Sequence, residues 1–315
     1  MGDSSFVTTF HASPIILTEG AIVERLRREY QIPLDDNIVH AGLIYNDTYR
    51  QVLADIYKQY LDIAETFQLP IMLMTPTRRV NNERVARSVY KDKNIIADSV
   101  AFLSQLKSDY TVPVYIGGLV GCRGDAYEPS ESLSSDEAMD FHLPQLEAFR
   151  KAGADYLFAG IMPALPEATG MAKAMETTEL PYIISFMIRK NGTLLDGTSI
   201  HNAIASIDVN TKVNPLCYTV NCVHPDILHK ALSVSGNNTS LVRARFMGIQ
   251  ANASNLSPEE LNECTCLKSS SAKELADSMM TLHRDFPLKI IGGCCGTDNT
   301  HLSRFAELFS CNSIR

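Results

Sequence analysis

Two adjacent cysteines in a glycine-rich stretch are the residues of this sequence whose type and spacing point most directly to chemistry. Cys294 and Cys295 follow an apolar run and two glycines, residues 290–293. Neighbouring thiols can bind a soft metal ion, form a strained disulfide or fill space in a core. A third cysteine brought close to them by the fold would favour the metal, so the elements that position them decide the interpretation.

Short apolar runs alternate with helical patterns along the whole chain. Apolar residues at spacings of three and four, from Tyr49 to Phe67, predict one long amphipathic helix. A run of charges over 24–29 predicts a solvated helix, and a further helix is predicted over 82–106. The eight predicted strands span residues 15–17, 71–74, 113–116, 156–159, 182–186, 217–220, 243–249 and 289–291.

Eight strands and their helices in a chain of 315 residues predict an α/β protein, a (β/α)8 TIM barrel forming a single domain over residues 1–315. A doubly wound open sheet is the alternative, but no Gly-x-Gly-x-x-Gly follows the first strand. Residues directly after barrel strands share one rim. Cys222 follows the sixth predicted strand, and Cys294 and Cys295 follow the eighth, so we expect the three thiols to lie close together.

Three cysteine thiolates with one open position are typical of a catalytic zinc site, since structural sites use four protein ligands. Such a zinc keeps an incoming thiol deprotonated at neutral pH, which favours sulfur alkylation over hydrolysis. Gly292 and Gly293 are predicted to let the backbone turn so that both sulfurs reach one ion. A redox protein with a Cys294–Cys295 disulfide is the alternative, and each cysteine taken singly also fits core packing.

Composition limits the partners. The net charge is -8 and no basic run is present, which argues against nucleic acid and anionic membranes. No apolar run has membrane-spanning length, and residues 1–6 lack a secretory signal pattern. Eight cysteines without such a signal predict a reducing, cytoplasmic location. Cys264 and Cys266 lie in a polar segment and are interpreted as surface thiols, with zinc binding as the alternative. The sequence leaves open whether the chain forms a homo-oligomer.

Two histidines near these elements are interpreted as structural. His224 is predicted to cap or pack at the start of the helix after the sixth strand, and His142 to be a half-buried helix residue. Arg78 and Arg79 follow the second strand and bring positive charge to the rim. They could meet an anionic substrate or simply begin a solvated helix.

Several motifs together resemble those of the homocysteine S-methyltransferase family, over nearly the whole chain. The two cysteine motifs at strand ends are the most specific part of the resemblance. The matching stretches are Val220-Asn221-Cys222, Gly292-Gly293-Cys294-Cys295-Gly296-Thr297, Ile184-Ser185-Phe186 with Asp196-Gly197-Thr198-Ser199, and Gly124-Asp125-Ala126-Tyr127.

The resemblance implies a zinc-containing (β/α)8 barrel that moves a methyl group to homocysteine. Cys222, Cys294 and Cys295 are then the zinc ligands, and Asn221 shapes the rim beside them. S-methylmethionine or S-adenosylmethionine is the implied donor, with a small-molecule thiol as acceptor. The implied substrate contacts are Glu19, Thr75, Thr77 and Asn221.

This chain departs from the family where the amino group of homocysteine is held. The family carries an aspartate after the first strand and a glutamate after the fourth, whereas this chain has Thr18 and Gly160. A buried ammonium needs an anionic partner, so these changes weaken the expectation of an amino acid substrate. A different thiol or methylated sulfur compound, or a barrel that binds a ligand without turnover, is the alternative.

Overall fold

Residues 5–256 and 270–312 are described by a computed structural model, and they build a closed barrel of eight parallel strands in chain order. The eighth strand pairs with the first, which confirms the TIM barrel and excludes the open sheet. The strands are β1 (Ile16–Thr18), β2 (Ile71–Met74), β3 (Val114–Val120), β4 (Tyr156–Met162), β5 (Tyr182–Phe186), β6 (Cys217–Val223), β7 (Phe246–Ala251) and β8 (Ile290–Gly293).

Helices surround the barrel and cover one of its ends. They are α1 (Phe6–Ala12), α2 (Val23–Arg28), α3 (Asp47–Phe67), α4 (Asn82–Arg87), α5 (Ile95–Lys107), α6 (Ser135–Ala152), α7 (Leu165–Glu176), α8 (Ile200–Asn210), α9 (Pro225–Ser233), α10 (Ser240–Arg245), α11 (Ala272–Asp285) and α12 (Asn299–Asn312). Two 3-10 helices, Ala41–Tyr45 and Pro129–Glu131, lie in loops at the carboxyl ends of β1 and β3. No helix in the two described ranges is both long and apolar enough to cross a membrane.

Alternate residues of the strands fill two separate cores, as the period of two requires. Ile16, Met72, Ile183 and Ile290 pack inside the barrel. Their neighbours along each strand pack outward against the helices. Both cores are almost completely buried, so the barrel gives a rigid rim from which loops can carry functional groups.

Helix α1 was not predicted from the sequence. Its Phe6 ring stacks on Tyr156 with centroids 4.6 Å apart and lies 5.2 Å from Tyr115. Tyr156 is the first residue of β4 and Tyr115 the second of β3, so α1 closes the amino-terminal end of the barrel with apolar surface. Chemistry is therefore confined to the opposite rim.

Several predicted element boundaries were wrong. The charged segment 24–29 is helix α2, but Arg25 and Leu26 are buried, because the Arg25 guanidinium bonds Glu29 and Gln59 while its stem packs inward. The predicted helix 82–106 is two helices, α4 and α5. The start of the predicted seventh strand is helix α10, whose amino end is capped by Thr239, so β7 begins only at Phe246.

Two strands also run further than predicted. Strand β3 continues through its glycines to Val120, because a side chain at Gly117 or Gly118 would collide with Tyr156 or Phe149. Those glycines serve close packing and do not end the strand. Strand β4 likewise continues past Gly160 to Met162. Cys264 and Cys266 lie outside the described residues.

Candidate active site

Cys222, Cys294 and Cys295 meet at the carboxyl-terminal rim. Their Sγ atoms all lie within 4.8 Å of one another, so the three could hold one metal ion. Cys222 is buried, Cys294 is half-buried and Cys295 is exposed. Sulfur is the donor that zinc and other soft ions prefer, and three sulfurs leave one position of a tetrahedral ion open. Among the described residues, this is the group of three metal-ligating side chains that the fold assembles.

A β-bulge directs Cys222 into this cluster. Asn221 pairs with Gln250 and Val223 with Ala251, so Cys222 is the extra residue between them. Its φ is 60°, in the left-handed region that non-glycine residues rarely occupy. Such bulges re-aim a side chain at the rim of a barrel, and the strain they store is typical of functional sites. Cys222 thus lies within β6, whereas the sequence predicted that it follows the strand.

Backbone hydrogen bonds fix Cys294 and Cys295 on the other side of the cluster. The Cys294 amide donates to the carbonyl of Ala251 at 2.7 Å, and the Cys295 carbonyl accepts from the amide of Ala253 at 3.0 Å. Both contacts join the end of β8 to the end of β7. The positions of the two sulfurs are therefore set by the strand pairing and not by the loop alone.

The glycines before these cysteines do not make the turn that the sequence predicted. Gly292 and Gly293 lie in extended backbone at the end of β8, and a side chain at either would collide with Thr18 or Thr297. They are needed because β1 and the following loop approach closely. The turn itself is made by Gly296, whose φ is 76°.

Two further groups contact the sulfur of Cys222. The side-chain amide of Asn252 donates to Cys222 Sγ at 3.3 Å. The hydroxyl of Tyr127 lies within hydrogen-bonding reach of the same sulfur. Hydrogen bonds from Cys294 and Cys295, and then from Tyr127, hold the pKa of Cys222 well below its usual value against the opposing effect of burial.

The three thiols therefore share their charge unequally. Thiolate character at Cys222 raises the pKa of Cys294 and of Cys295 well above the usual value, because a second negative sulfur would face the first. A cluster that cannot ionise all its thiols alone is stabilised by a cation that neutralises them. This electrostatic property agrees with the donor set in favouring a bound metal.

Tyr127 is carried by a loop that is anchored on a buried pair. Glu167 accepts from the Arg123 amide at 2.7 Å, from Ser132 Oγ at 3.2 Å and from the ring of His142 at 3.0 Å. His142 and Glu167 are both fully buried, so the interpretation of His142 as half-buried was wrong. The pair fastens both ends of the loop that holds Tyr127 over the cysteines.

A cavity of about 180 Å³ opens above the cysteine cluster. Its walls come from the ends of β1, β2, β3, β4, β6, β7 and β8 and from the segment after β1. Ile22, Leu119 and Ile161 give it apolar surface. Besides the cysteines, the polar and charged side chains that line it are Glu19, Glu24, His40, Tyr57, Thr75, Arg78, Tyr127, Asn221 and Gln250.

Glu19, a predicted substrate contact, lines this cavity at 6% exposure. Its carboxyl group accepts a hydrogen bond from the Met74 amide at 3.1 Å, at the end of β2. Burial raises the pKa of Glu19 to about 8, and the backbone hydrogen bonds offset this only in part. The group is therefore mostly protonated and neutral at pH 7.

The other predicted substrate contacts are held by one another and by backbone. Thr75 and Thr77 hydroxyls lie 2.7 Å apart, and Thr77 donates to the Leu119 carbonyl at 2.8 Å. Thr75 lines the cavity, whereas Thr77 supports it from outside. Asn221 lines the cavity and bonds Ser185 and Gln250.

Thr18 and Gly160 stand where the resemblance expects carboxylates. The Thr18 hydroxyl accepts from Gln250 at 3.3 Å inside the barrel, and Gly160 lies on the cavity wall. Neither position supplies negative charge.

Tyr127 belongs to a motif noted in the sequence, but its approach to Cys222 could be seen only in the fold. Asn252 follows β7 directly, and its position after a strand was the signal that could have identified it. His224 caps α9 by accepting from the Asp226 amide, as predicted.

Comparison with known proteins gives one consistent family. A family model described as homocysteine S-methyltransferase matches residues 16–309. The sequence is 24% identical over 308 residues to homocysteine S-methyltransferase YbgG of Bacillus subtilis (strain 168), covering 93% of this chain and 94% of that protein.

Solved structures of the homocysteine methyltransferase MmuM from Escherichia coli are similar in fold. The metallated form has a TM-score of 0.73 at 19% identity, and covers 95% of this chain and 97% of that chain. The oxidised form has a TM-score of 0.75 at 20% identity, with the same coverage. At these identities the structural likeness shows the shared barrel.

Proposed function

Because this chain belongs to the homocysteine S-methyltransferase family and is a methyltransferase, we propose that it transfers a methyl group from a sulfonium donor to a thiol, with zinc as its metal. The observation that carries the proposal is the cluster of three cysteine sulfurs at the floor of a cavity. S-methylmethionine or S-adenosylmethionine is the proposed donor, and homocysteine is the default acceptor.

The donor set fits zinc. Cys222, Cys294 and Cys295 are the proposed ligands, because three sulfurs within 4.8 Å match a soft, tetrahedral ion that keeps one position open. Bound there, zinc lowers the pKa of an incoming thiol so that the sulfur is nucleophilic at neutral pH.

The chain itself supplies orientation and shelter. Asn252 and Tyr127 direct hydrogen bonds at Cys222, which hold its sulfur in place and reduce its negative charge. Apolar walls formed by Leu119 and Ile161 limit water around the reacting sulfur. Protection from water does not help the thiol ionise, but it makes the thiolate, once formed, a stronger nucleophile because a poorly solvated anion reacts faster.

The acceptor enters the cavity above the cysteines, and its thiol releases a proton to solvent water at the open mouth of the cavity. Its sulfur attacks the donor's methyl carbon in line, so one carbon–sulfur bond forms while the donor's bond breaks and leaves a neutral thioether. Under this proposal Glu19, Thr75 and Asn221 contact the acceptor, because all three line the cavity. Thr77 acts through Thr75 and the β3 backbone.

Metal content and turnover, measured on the same protein, test the proposal. The wild-type chain purified with zinc is expected to hold about one ion and to methylate a thiol with either sulfonium donor. Cys222→Ser is expected to lose both. Cys217→Ala is the matched control, because Cys217 is equally buried but lies inside the barrel and away from the cavity.

Three results would contradict different parts of the proposal. If zinc-loaded protein methylates no thiol with any donor, the remaining interpretation is a barrel that binds a ligand without turnover. If the protein methylates another thiol but not homocysteine, only the proposed acceptor is wrong. Purified protein that holds a Cys294–Cys295 disulfide, binds no metal and transfers no methyl group would favour the redox alternative.

A further inference from the structure

The charged side chains in the cavity wall differ in how they are used. Glu24 forms an ion pair with Arg28 at 3.1 Å and accepts from the Gly296 amide. Glu19 is mostly neutral at pH 7 and bonds the end of β2. Among the described residues, Arg78 has neither an ion pair nor a side-chain hydrogen bond. The cavity therefore contains a cation whose charge the protein itself does not neutralise.

Arg78 is held at the rim by its backbone. Its carbonyl accepts from the Gly121 amide at 3.0 Å, and Arg78 lies within a turn that is closed by the Val80 amide donating to the Thr77 carbonyl at 2.8 Å. The next arginine, Arg79, is used differently, because it donates to the Gly124 carbonyl at 2.9 Å and faces Asp125. Of these neighbouring cations, Arg78 lines the cavity.

His40 is a second polar side chain without a partner in the same wall. It is 7% exposed, and its Nδ1 is buried without a hydrogen-bond partner in the described structure. Burial, together with the charges of Arg78 and Arg27, lowers the pKa of His40 to about 3, so the ring is neutral. Because Nδ1 is shielded from the cavity, a ligand there can reach the ring only at Nε2, which in a neutral imidazole can donate one hydrogen bond.

The segment before His40 is built to hold that ring in place. Asp35 and Val39 exchange two backbone hydrogen bonds, and the Asp35 carboxylate accepts from the amides of Asn37 and Ile38. Ser88 ties the same carboxylate to the segment after α4. Val39 has a φ of 58°, which is unusual for a β-branched residue, and such strain marks functional positions.

We propose that Arg78 and His40 form an anion-binding subsite that recognises the carboxylate of the acceptor thiol. The inference rests on the proposed function for the identity of the acceptor. Arg78 offers the planar pair of donors that matches a carboxylate, and His40 offers a further hydrogen bond from a buried ring. The subsite lies in the same cavity as the three cysteines, so one small molecule can present its acid to Arg78 and its sulfur to the cluster.

The same cavity offers no matching site for an ammonium group. Within the described lining, Glu24 is already paired, Glu19 is mostly neutral in the unliganded cavity and Gly160 carries no charge, while Thr18 faces Gln250 inside the barrel. Recognition through the acid alone therefore predicts that an α-amino group adds little to binding. The substrate class is a short-chain thiol that carries a carboxylate, with or without an amino group.

Three acceptor thiols, each with the same carbon chain between its sulfur and its charged group or groups, test whether the carboxylate is what the cavity recognises. L-homocysteine carries both charged groups, 4-mercaptobutyrate lacks the ammonium, and 3-aminopropanethiol lacks the carboxylate. The expected kcat/KM for 4-mercaptobutyrate is within a few-fold of that for homocysteine or above it. For 3-aminopropanethiol we expect a value roughly 10- to 100-fold lower, the size of a lost charge-assisted hydrogen-bond pair.

Variants separate recognition from structure. Arg78→Met is expected to raise KM roughly 10- to 100-fold for both acids, with kcat little changed and no effect on 1-propanethiol. Arg78→Lys should recover part of the loss, and His40→Phe should weaken both acids several-fold. Arg79→Met is the matched control, and any effect it has should be equal for charged and neutral thiols.

Direct binding keeps the subsite testable if methyl transfer fails. Butyrate titrated calorimetrically into wild-type protein should bind, and Arg78→Met should abolish the heat. With that result and no turnover, the subsite stands and the proposed reaction falls. Absence of butyrate binding in the wild type would overturn the subsite. The subsite would also be overturned if 3-aminopropanethiol had the same kcat/KM as 4-mercaptobutyrate. The same holds if Arg78→Met reduced kcat/KM equally for 1-propanethiol and for the acids.

Discussion

Replacing Glu19 with glutamine should stabilise the protein, and the gain should grow with pH. In the folded chain burial moves the pKa of Glu19 from its ordinary 4.5 to about 8. Between those values the folded state binds more protons at this site than the unfolded state, so the group lowers stability as the pH rises. Glutamine has the same shape, can still accept from the Met74 amide and does not titrate.

The magnitude follows from the shift. One pKa unit corresponds to about 1.4 kcal/mol, so the glutamate costs about 3 kcal/mol at pH 7 and about 5 kcal/mol above pH 8. At 6% exposure solvent screens little of this cost, although the adjoining cavity makes these values upper bounds. Glu19→Gln should therefore match wild type near pH 4.5 and exceed it by about 2–3 kcal/mol at pH 7.

Urea unfolding of both proteins at a series of pH values, with equal metal loading, measures this difference. Titration of the cysteines affects both proteins equally and cancels. Glu307→Gln is the control, because its carboxylate is exposed in a surface pair with Arg304 and should change stability by less than about 1 kcal/mol. A difference that stays flat with pH, or a less stable Glu19→Gln protein at pH 8, would refute the reasoning and indicate an ionised Glu19.

Three further changes test the support around the cysteines. Tyr127→Phe removes the hydroxyl that reaches Cys222 and should weaken zinc binding roughly 10-fold in a chelator competition, with the melting temperature nearly unchanged. Asn252→Ala removes the 3.3 Å hydrogen bond to the same sulfur, so turnover and zinc affinity should fall together, roughly 10- to 100-fold; unchanged affinity would contradict a role for that bond. Glu167→Gln should lose about 1–3 kcal/mol of stability and speed proteolysis within residues 121–134. Burial raises the pKa of Glu167, but the His142 hydrogen bond and the backbone amides outweigh it and lower the pKa overall. Ionised Glu167 therefore stabilises the fold at neutral pH, and the stability lost in Glu167→Gln should shrink as the pH falls below the ordinary value of 4.5.

Local patterns in the sequence were sufficient for the barrel and for the meeting of its cysteines. Strands and helices alternate with distinct periods, and eight such repeats without a Gly-x-Gly-x-x-Gly after the first strand favour the closed barrel over an open sheet. Once the barrel is assumed, position after a strand places Cys222 on the same rim as Cys294 and Cys295, although their sequence distance is large. The helix α1 and the start of β7 were missed, because apolar content there does not distinguish a helix from a strand and capping decided between them.

What the chain does with each polar group was decided only by tertiary structure. The sequence shows a glutamate at 19 and an arginine at 78, but not that the first is buried and mostly neutral while the second lines the cavity without an ion pair in the described structure. Nor does it show the bulge that turns Cys222 into the cluster or the loop that brings His40 beside Arg78. Burial and hydrogen-bond partners come from residues far apart in sequence. A residue's type therefore determines which chemistry it can do, and its packed neighbours determine which of these it does.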